Sequence, residues 1–516
     1  MTLHMRRSAG VLLPLSSVRS ETSWGVGEFP DIGALAPWLQ EARLSVWMML
    51  PLLEAGIGQD SPYSALSAFA LDPLYISLDQ LPDFQALGGE AALDPDERAA
   101  LQHARTSPSI DYPTIRRLKS RWLRHAFERF KSSASQERVD ELSRFREEES
   151  GWLQDYSLFR ALKEDQAQAG WMSWDPPLRD RDPEALAAAG ARCEESRAFF
   201  EYVQWVAFRQ LAFARDRALG FGVHIAGDLP FMVAEDSADV WSRRDIFRLD
   251  ATVGVPPDAY SDEGQDWGLP VYRWDVLADR GYDWLRERAR QSARHYDLLR
   301  IDHIVGFYRT YARPRDGSEP FFIPAEEAEQ RAQGEAVLEA FTEAGVEVVA
   351  EDLGTVPPFV RDSLAAVEVP GYRVLRWESD DGVFRDPAGW PERSLATTGT
   401  HDTSSAAVWW DSLEEHERKA IRALPALGSL RDEDAARFGP AVRDAILEAV
   451  YGSRSALLIL PVQDLFGATE RINLPGTVGP HNWSYRLPWS ISQLVADPFI
   501  RERTRALADL AERHGR

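Results

Sequence analysis

Short apolar runs recur along the chain, and longer amphipathic segments lie between most of them. A run of about four to eight apolar residues bounded by turn residues predicts a buried strand, whereas apolar residues spaced three and four apart predict a helix. The predicted strands lie, in chain order, near residues 10–15, 44–50, 222–228, 298–303, 346–351, 374–377, 394–400 and 456–461. Eight strands that mostly alternate with helices predict an α/β fold, a (β/α)8 TIM barrel.

Two long segments interrupt this alternation. Residues 81–191 contain charged helical patterns and little that resembles a strand, which predicts a mainly helical insertion after the second strand. Residues 229–275 contain many turn residues, which predicts a structured loop insertion after the third strand. We expect both to belong to one catalytic barrel domain of residues 1–516, with no separate C-terminal β-domain. An open doubly wound sheet would need a glycine-rich phosphate loop, and the candidate Trp24-Gly25-Val26-Gly27 lacks its third glycine.

The net charge limits the kinds of partner that the chain could bind. With 82 acidic and 58 basic residues, the chain has a net charge of −24, which opposes binding to nucleic acid or to an anionic membrane. A single cysteine, Cys193, excludes an internal disulfide. The apolar run after Arg6-Arg7 predicts a strand and not a signal peptide, because Pro14 interrupts it. No run approaches the ~20 apolar residues of a membrane span, so we expect a cytoplasmic protein with a neutral substrate.

Acidic side chains mark the C-terminal ends of three predicted strands. Asp302 ends the fourth strand, Glu351 ends the fifth, and Asp402 follows the seventh directly after His401. In a (β/α)8 barrel the C-terminal ends of the strands form the rim that carries the active site. Three acids at this rim indicate a catalytic layout, although a structural ion pair with Arg300 would by itself account for Asp302.

Carboxylates at a barrel rim support two kinds of chemistry, divalent metal binding and cleavage of glycosidic bonds. The ten histidines are scattered, and the chain has no His-Glu-x-x-His motif. Asp302-His303 and His401-Asp402 together leave a shared metal as an alternative. The pattern otherwise favours a site without a metal or another cofactor.

Cleavage of a glycosidic bond with retention needs an ionised carboxylate as the nucleophile and a protonated carboxyl as the acid/base, about 5–5.5 Å apart. Arg300 shares a strand face with Asp302 and would keep it ionised, which suits the nucleophile. Glu351 follows an apolar Val-Val-Ala run, where desolvation and the nearby charge of Asp302 would raise its pKa, which suits the acid/base. Asp402 would then stabilise the positive charge of the transition state, and His401 would bind sugar hydroxyls.

Aromatic side chains in polar loops point to the same substrate class. The chain has 18 tryptophans, most of which we assign to the core. Trp267 and Tyr63 differ, because both lie in loops with glycine or proline that a barrel would place around its rim. Such rings offer flat surfaces to the apolar faces of sugars.

Several longer motifs carry these candidate residues. They are SPYS at 61–64, GDLPFMVAEDSADVW at 227–241, GVPPDAYSDEGQDWG at 254–268, PVYRWD at 270–275, RIDH at 300–303, AEDLG at 350–354, TGTHD at 398–402, RINLPGT at 471–477 and NW at 482–483. In sequence and order they closely resemble the amylomaltases, the 4-α-glucanotransferases of glycoside hydrolase family 77, which are related to the α-amylase clan. Ile304-Val305-Gly306 departs from the family's usual Phe-Arg-Gly, and residues 56–59 lack an aromatic that some relatives have there.

The resemblance implies a role for each candidate residue. Asp302 matches the family's nucleophile, Glu351 its acid/base and Asp402 its transition-state stabiliser. The positions that match residues lining glucan subsites are Arg300, His303, His401, Asp228, Asp258, Gln265, Trp267, Ser61, Tyr63 and Asn473. The loop with Tyr260 and Trp267 resembles one that covers the bound glucan and keeps water from the intermediate.

The leading hypothesis is that the enzyme moves segments of α-1,4-glucans, such as maltooligosaccharides or chains of starch or glycogen, to the 4-hydroxyl of another glucan or of glucose. One rival is hydrolysis by the same residues, since water and a sugar hydroxyl both accept from the same intermediate. A second rival is a non-catalytic glucan-binding protein, which the presence of all three carboxylates disfavours. Only the resemblance favours transfer over hydrolysis.

Overall fold

Eight parallel strands form the centre of the structure. The computed structural model describes residues 7–257 and 264–516. The parallel strands are β1 (Ser8–Leu12), β2 (Val46–Met48), β3 (His224–Leu229), β4 (Leu298–Ile301), β5 (Glu347–Ala350), β6 (Gly371–Val374), β7 (Ser394–Thr397) and β8 (Leu457–Pro461). Their order in the sheet is β6-β7-β8-β1-β2-β3-β4-β5, so each strand except β5 and β6 pairs on both sides. The predicted TIM barrel is therefore confirmed.

The two ends of the sheet meet between β5 and β6 and nearly close the barrel. The backbone N–H of Ala350 donates to the carbonyl of Pro370 at 2.9 Å, where a full ladder would otherwise run. Two residues further along both segments, Oδ1 of Asp352 accepts the N–H of Tyr372 at 2.6 Å. A Cβ atom on Gly371 would lie only 2.6 Å from the Asp352 carboxylate, so glycine is required for this approach. A buried side chain thus completes the seam that the ladder leaves open.

Helices surround the barrel. Those outside the segment 81–191 are Phe29–Glu41, Glu194–Gly220, Ala238–Ser242, Trp274–Asp279, Asp283–His295, Ile304–Tyr308, Glu327–Glu343, Pro358–Ala366, Ala406–Ser412, Glu415–Ile421, Asp432–Ala435, Pro440–Tyr451, Val462–Phe466, Ile491–Ala496 and Pro498–Arg513. The strands β1, β4 and β8 are buried at every position, as expected for parallel strands covered on both faces. Within the described ranges, every helix is too short or too polar to cross a bilayer.

Local sequence signals explain where the helices start and stop. The first begins with a reciprocal cap, in which the N–H of Glu28 donates to Asp31 at 2.8 Å and the Glu28 side chain accepts in return. The helix before β5 ends at Glu343, and Gly345 then adopts a left-handed φ of 83° that turns the chain into the strand.

The segment 81–191 folds into a group of helices between β2 and β3. They are Pro82–Ala86, Pro95–Thr106, Tyr112–Ser133, Gln136–Glu148, Ser150–Asp165, Pro176–Arg179 and Pro183–Arg192. The long helix Glu194–Gly220 then leads into β3 and packs against Phe29–Glu41.

Two stretches differ from the sequence prediction. Part of the segment 229–275 forms strands and not loop, because Phe247–Val255 pairs with Gln265–Tyr272 in an antiparallel sheet that Thr310–Pro314 and Phe321–Ile323 extend. Register shifts within the first pair disrupt the alternation that reveals a strand in sequence. The predicted sixth strand lies too late: β6 ends at Val374, and Leu375–Trp377 forms a 3-10 turn.

Candidate active site

The rim at the C-terminal ends of the strands brings the predicted acids together. In the ladder between β4 and β5, Ile301 pairs with Ala350. Asp302 and Glu351 are the next residues, so they leave neighbouring strands at the same height. The N–H of Glu351 donates to the carbonyl of Ile301 at 3.0 Å, so the two segments stay paired one residue beyond the last ladder pair.

Arg300 connects Asp302 to the end of β3. Its Nη1 lies 2.9 Å from Oδ1 of Asp302 and 2.7 Å from both carboxylate oxygens of Asp228. Arg300 is only 5% exposed, so its guanidinium binds the two acids in a poorly solvated position. Burial raises the pKa of Asp228, although Arg300 acts in the opposite direction. The face shared by Arg300 and Asp302, expected from strand alternation, is present.

Glu351 is held by the main chain of its neighbours. Its Oε2 accepts the N–H of His303 at 2.9 Å, and its Oε1 accepts the N–H of Leu353 at 3.1 Å. His303 reaches this position in a left-handed conformation with φ 45°. Burial raises the pKa of Glu351 to about 8; Arg300 opposes this shift and the charge of Asp302 adds to it. At neutral pH the carboxyl therefore retains a proton.

Asp402 lies in the loop after β7 and is fixed by polar partners. Nδ2 of Asn473 donates to Oδ1 of Asp402 at 2.6 Å, and Nε2 of His401 lies 3.4 Å from its Oδ2. The guanidinium of Arg471 donates to the carbonyl of Asp402. With 42% of its side chain exposed, Asp402 faces the open rim.

The buried Asp464 and the partly buried Arg376 hold the ends of the Asp402 loop. Asp464, which follows β8, accepts the hydroxyl of Thr398 and, at 2.6 Å, the N–H of Ala406. Arg376, which follows β6, donates from Nε to the carbonyl of Thr398 at 2.9 Å and from Nη1 to the hydroxyl of Ser404 at 3.3 Å. The elements after β6 and β8 thus fix the loop after β7 from both sides.

Tyr63 connects the two sides of the rim. Its hydroxyl donates to Oδ2 of Asp228 at 2.8 Å and lies 3.0 Å from Nε2 of His401. A tyrosine hydroxyl has one proton to donate, so Nε2 of His401 carries the hydrogen that faces Tyr63. The two rings stack at 5.6 Å, and Trp483 lies 6.0 Å from His401. The resulting chain of contacts runs from Asp302 through Arg300, Asp228, Tyr63 and His401 to Asp402.

Other predicted residues that the structure describes lie around this chain of contacts. The ring of Trp267 meets the ring of His303 edge to face at 4.8 Å, and its Nε1 donates to Gln265 at 3.1 Å. Oγ of Ser61 accepts the N–H of Tyr63 at 3.4 Å. Two predicted subsite residues, Asp258 and Tyr260, lie outside the described residues.

Several residues of the site were not among those predicted. They are Arg376, Asp464, Arg471, Trp483 and Phe231, which meets the ring of His303 edge to face at 5.8 Å. A signal existed for two of them, because Arg471 opens the RINLPGT motif and Trp483 ends the NW motif. Asp464 lies just after β8, the same placement that singled out the other acids. Beside Asp402, a cleft of about 850 Å³ runs past Arg376 and Trp377 toward the seam between β5 and β6.

The described part of the chain holds no cluster of three His, Cys, Asp or Glu side chains arranged for a metal ion. The rim carboxylates are bonded to arginine, tyrosine, asparagine and backbone N–H groups. Together the fold and the rim define a (β/α)8 enzyme of carbohydrate chemistry, with one carboxylate beside arginine and one protonated carboxyl at the same height.

Comparison with known proteins specifies the family within that class. A family model described as 4-alpha-glucanotransferase, of glycoside hydrolase family 77, matches residues 13–492. The chain belongs to this family. The prediction of a 4-α-glucanotransferase is therefore confirmed, and the alternative of a hydrolase is not favoured.

The similarity to individual relatives extends along nearly the whole chain. A 4-alpha-glucanotransferase of Thermus thermophilus is 34% identical over 529 residues, covering 99% of this chain and 100% of the relative. One of Synechocystis is also 34% identical, covering 93% and 94%. Among solved structures, the amylomaltase from Streptococcus agalactiae in complex with acarbose superposes with a TM-score of 0.86 at 26% identity, covering 99% of this chain and 100% of that chain. The amylomaltase from Corynebacterium glutamicum gives a TM-score of 0.82 at 26% identity, covering 98% and 75%.

Proposed function

We propose that the protein transfers α-1,4-glucan segments by a retaining double displacement. Asp302 attacks the anomeric carbon of the donor while Glu351 gives its proton to the departing 4-oxygen, and a covalent glucosyl ester forms on Asp302. Glu351, now ionised, takes the proton from the 4-hydroxyl of an acceptor glucan or glucose. That oxygen attacks the same carbon, the ester bond breaks, and a new α-1,4 bond leaves Asp302 as a free carboxylate.

One observation carries this assignment. Two carboxyls stand at the same height on neighbouring strands, yet their surroundings differ in kind. Asp302 lies against the Arg300 guanidinium, while Glu351 is buried with its pKa raised to about 8. Such a pair supplies a nucleophile and a general acid at the same pH.

Asp402 is proposed to stabilise the positive charge that develops on the sugar ring. Its exposed carboxylate is oriented by Asn473 and flanked by His401, and both of these side chains are proposed to form hydrogen bonds with sugar hydroxyls. We propose that the following residues contact the glucan around this centre: Arg300, His303, Asp228, Ser61, Tyr63, Gln265, Trp267, Asp258 and Tyr260. The aromatic rings of Tyr63 and Trp267 suit the apolar faces of glucose units.

The substrate class follows from the family and from its relatives. A related amylomaltase binds acarbose, and the net negative charge of this chain suits a neutral polymer better than an anionic one. We propose α-1,4-glucans as donor and acceptor, and a cytoplasmic location in keeping with a single cysteine.

Incubation with maltotriose tests the proposal. Transfer yields glucose together with a ladder of longer maltooligosaccharides, while the total number of reducing ends stays constant, because each bond broken is replaced by a bond formed. Chromatography of the products and a reducing-end assay are read from the same reaction. A steady rise in reducing ends without longer products would identify a hydrolase and refute transfer.

A further inference from the structure

The loop after β2, residues 52–72, is an antiparallel hairpin that carries Tyr63 near its tip, and we call it the Tyr63 loop. Leu53 in its first stem pairs with Leu71 in its second stem. On either side of this pair, main-chain hydrogen bonds of 2.9 Å cross between the stems. Tyr63 lies beyond the stems, so the contacts that its hydroxyl makes at the rim depend on where the stems are held.

The main chain of Leu71 faces away from the first stem. In an antiparallel ladder, hydrogen bonds cross at alternate pairs, and the pair between two crossings has its N–H and C=O groups turned outward. Leu53 and Leu71 form such a pair, because the crossing bonds belong to the residues on either side of them. Leu71 is only 1% exposed, so its outward groups need partners within the protein.

The side chain of Gln204 supplies these partners. Its Oε1 accepts the N–H of Leu71 at 2.9 Å, and its Nε2 donates to the carbonyl of Leu71 at 2.9 Å. One amide thus makes both of the hydrogen bonds that a third strand would make at this position. Gln204 is fully buried in the helix Glu194–Gly220, so this helix holds the second stem through its main chain.

The same amide also connects to the first stem. Nε2 of Gln204 donates to the hydroxyl of Tyr156 at 3.1 Å, and that hydroxyl donates to Oε2 of Glu54. Oε1 of Glu54 lies 3.1 Å from Nη2 of Arg160. Both hydrogens of the Gln204 amide therefore have acceptors, and turning the amide over would bring one of them against the N–H of Leu71. The orientation of the amide is fixed, and both stems are tied to neighbouring helices.

We propose that Gln204 is a positioning residue for Tyr63, and that it acts by pairing with Leu71 as a third strand would. The inference rests on the proposed function, in which Tyr63 contacts the glucan. Loss of the amide takes two hydrogen bonds from buried main-chain groups, which releases the second stem from its helix and shifts the tip. The loop keeps other anchors, since the N–H of Ala68 donates to Asp239 at 2.7 Å. We therefore expect a partial loss of activity.

Gln204→Met tests the proposal, because methionine keeps the length of the side chain but makes neither bond to Leu71. The same helix offers a matched control. Oε1 of Gln210 accepts the N–H of Ser77 at 2.8 Å, and its Nε2 donates to the carbonyl of Ser77 at 2.9 Å. Gln210→Met thus removes the same two bonds from a segment beyond the Tyr63 loop. Each variant should lower Tm by ~2 °C.

Only Gln204→Met should change the kinetics. For glucose release from maltotriose, kcat/KM should fall about tenfold, mostly through a higher KM, because Tyr63 contacts the sugar in the ground state as well as in the transition state. Gln210→Met should stay within about twofold of wild type. Equal losses in the two variants, or a loss below about twofold in Gln204→Met, would overturn the proposal. Transfer and hydrolysis both release glucose, so a failure of the proposed function would appear in the product ladder and leave this comparison intact.

Two further measurements decide whether the effect passes through Tyr63. In a Tyr63→Ala background no ring is left to position, so adding Gln204→Met should cost less than about threefold. A loss of about tenfold that persists in this background would overturn the proposal. Tyr156→Phe is a milder variant that removes only the hydroxyl between Gln204 and Glu54, and it should lower kcat/KM about threefold. Unchanged kinetics in Tyr156→Phe would also overturn the proposal, whether or not Gln204→Met folds.

Discussion

The two sides of the active-site rim position their acids in different ways. Asp302 and Glu351 follow β4 and β5, and the main-chain ladder between these strands sets their relative height. Asp402 lies in a loop beyond its strand, and the side chains of Asp464 and Arg376 hold that loop. An acid placed by main-chain pairing tolerates changes in neighbouring side chains, whereas a loop held by two side chains does not. We therefore expect distant substitutions to reach Asp402 more readily than Glu351.

The largest effect should come from the strand side itself. Asp302→Asn removes the nucleophile but keeps the shape of the side chain beside Arg300, so kcat for maltotriose should fall by ~10⁴-fold or more. Binding of maltotriose, measured by calorimetry, should change little. A variant that keeps about a tenth of the wild-type rate would show that Asp302 does not form the glucosyl intermediate.

The pH dependence on the alkaline side should report the proton on Glu351. Donor cleavage needs the protonated carboxyl, so raising the pH through about 8 removes the active form, and kcat/KM should then fall about tenfold per pH unit. The measurement is kcat/KM for maltotriose between pH 6 and about 10. The exposed Glu339 provides the control, because Glu339→Gln should leave this alkaline limb in place, while a profile flat to about pH 10 would contradict the assignment.

The rate should also depend on Asp464, which holds the Asp402 loop and does not touch the sugar. Asp464→Leu keeps the branching of the side chain at Cγ but removes both acceptors, which frees Thr398 and Ala406, so kcat should fall by ~30-fold with KM nearly unchanged. Asp464→Asn is the matched variant, because its carbonyl still accepts from Ala406 and its amide donates to Thr398. It should retain activity within about threefold of wild type. Equal losses in both variants, or a parallel rise in KM, would argue against a positioning role.

The smallest effect should come from the contact between the two sides. Tyr63→Phe keeps the ring stacked on His401 but removes the hydroxyl between His401 and Asp228, so kcat/KM should fall by ~5-fold. Ser61→Ala, which removes a weaker contact nearby, should have less effect. A loss larger than that of Asp464→Leu would mean that the two sides are not positioned independently.

Sequence patterns predicted the parts of the fold that local composition controls. Apolar runs located most barrel strands, since both faces of a parallel strand are buried and its residues need not alternate. The sixth strand was misplaced because Val374-Leu375 continues the apolar run, while the pairing of β6 with β7 ends at Val374. The antiparallel strands that follow β3 in the chain were missed because their pairing includes shifts of register. Both errors arise from strand pairing, which depends on residues far away in sequence.

The residues of the candidate site also fall into two groups, those that local sequence reveals and those that depend on contacts between distant parts of the chain. Acids at strand ends were recognisable because the C-terminal edge of parallel strands gathers them on one rim. The interactions of Asp464 and Arg376 were not recognisable, because each binds a loop that belongs to a different strand. Which side chain holds a loop is decided by the order of the strands around the barrel.

Asp352 helps to close the barrel at the seam between β5 and β6. Its carboxylate is the acceptor that Tyr372 would otherwise find in a neighbouring strand, and Arg361 and Arg373 lie within 3.6 and 3.8 Å of it. Fluctuations of a folded protein concentrate where backbone hydrogen bonds are fewest. The strand β5, which Glu351 follows, therefore has a continuous hydrogen-bond ladder on one side only. On its other side, the main-chain bond from Ala350 to Pro370 and the Asp352 carboxylate hold the seam, so removing this carboxylate would loosen the rim one residue from the proton donor.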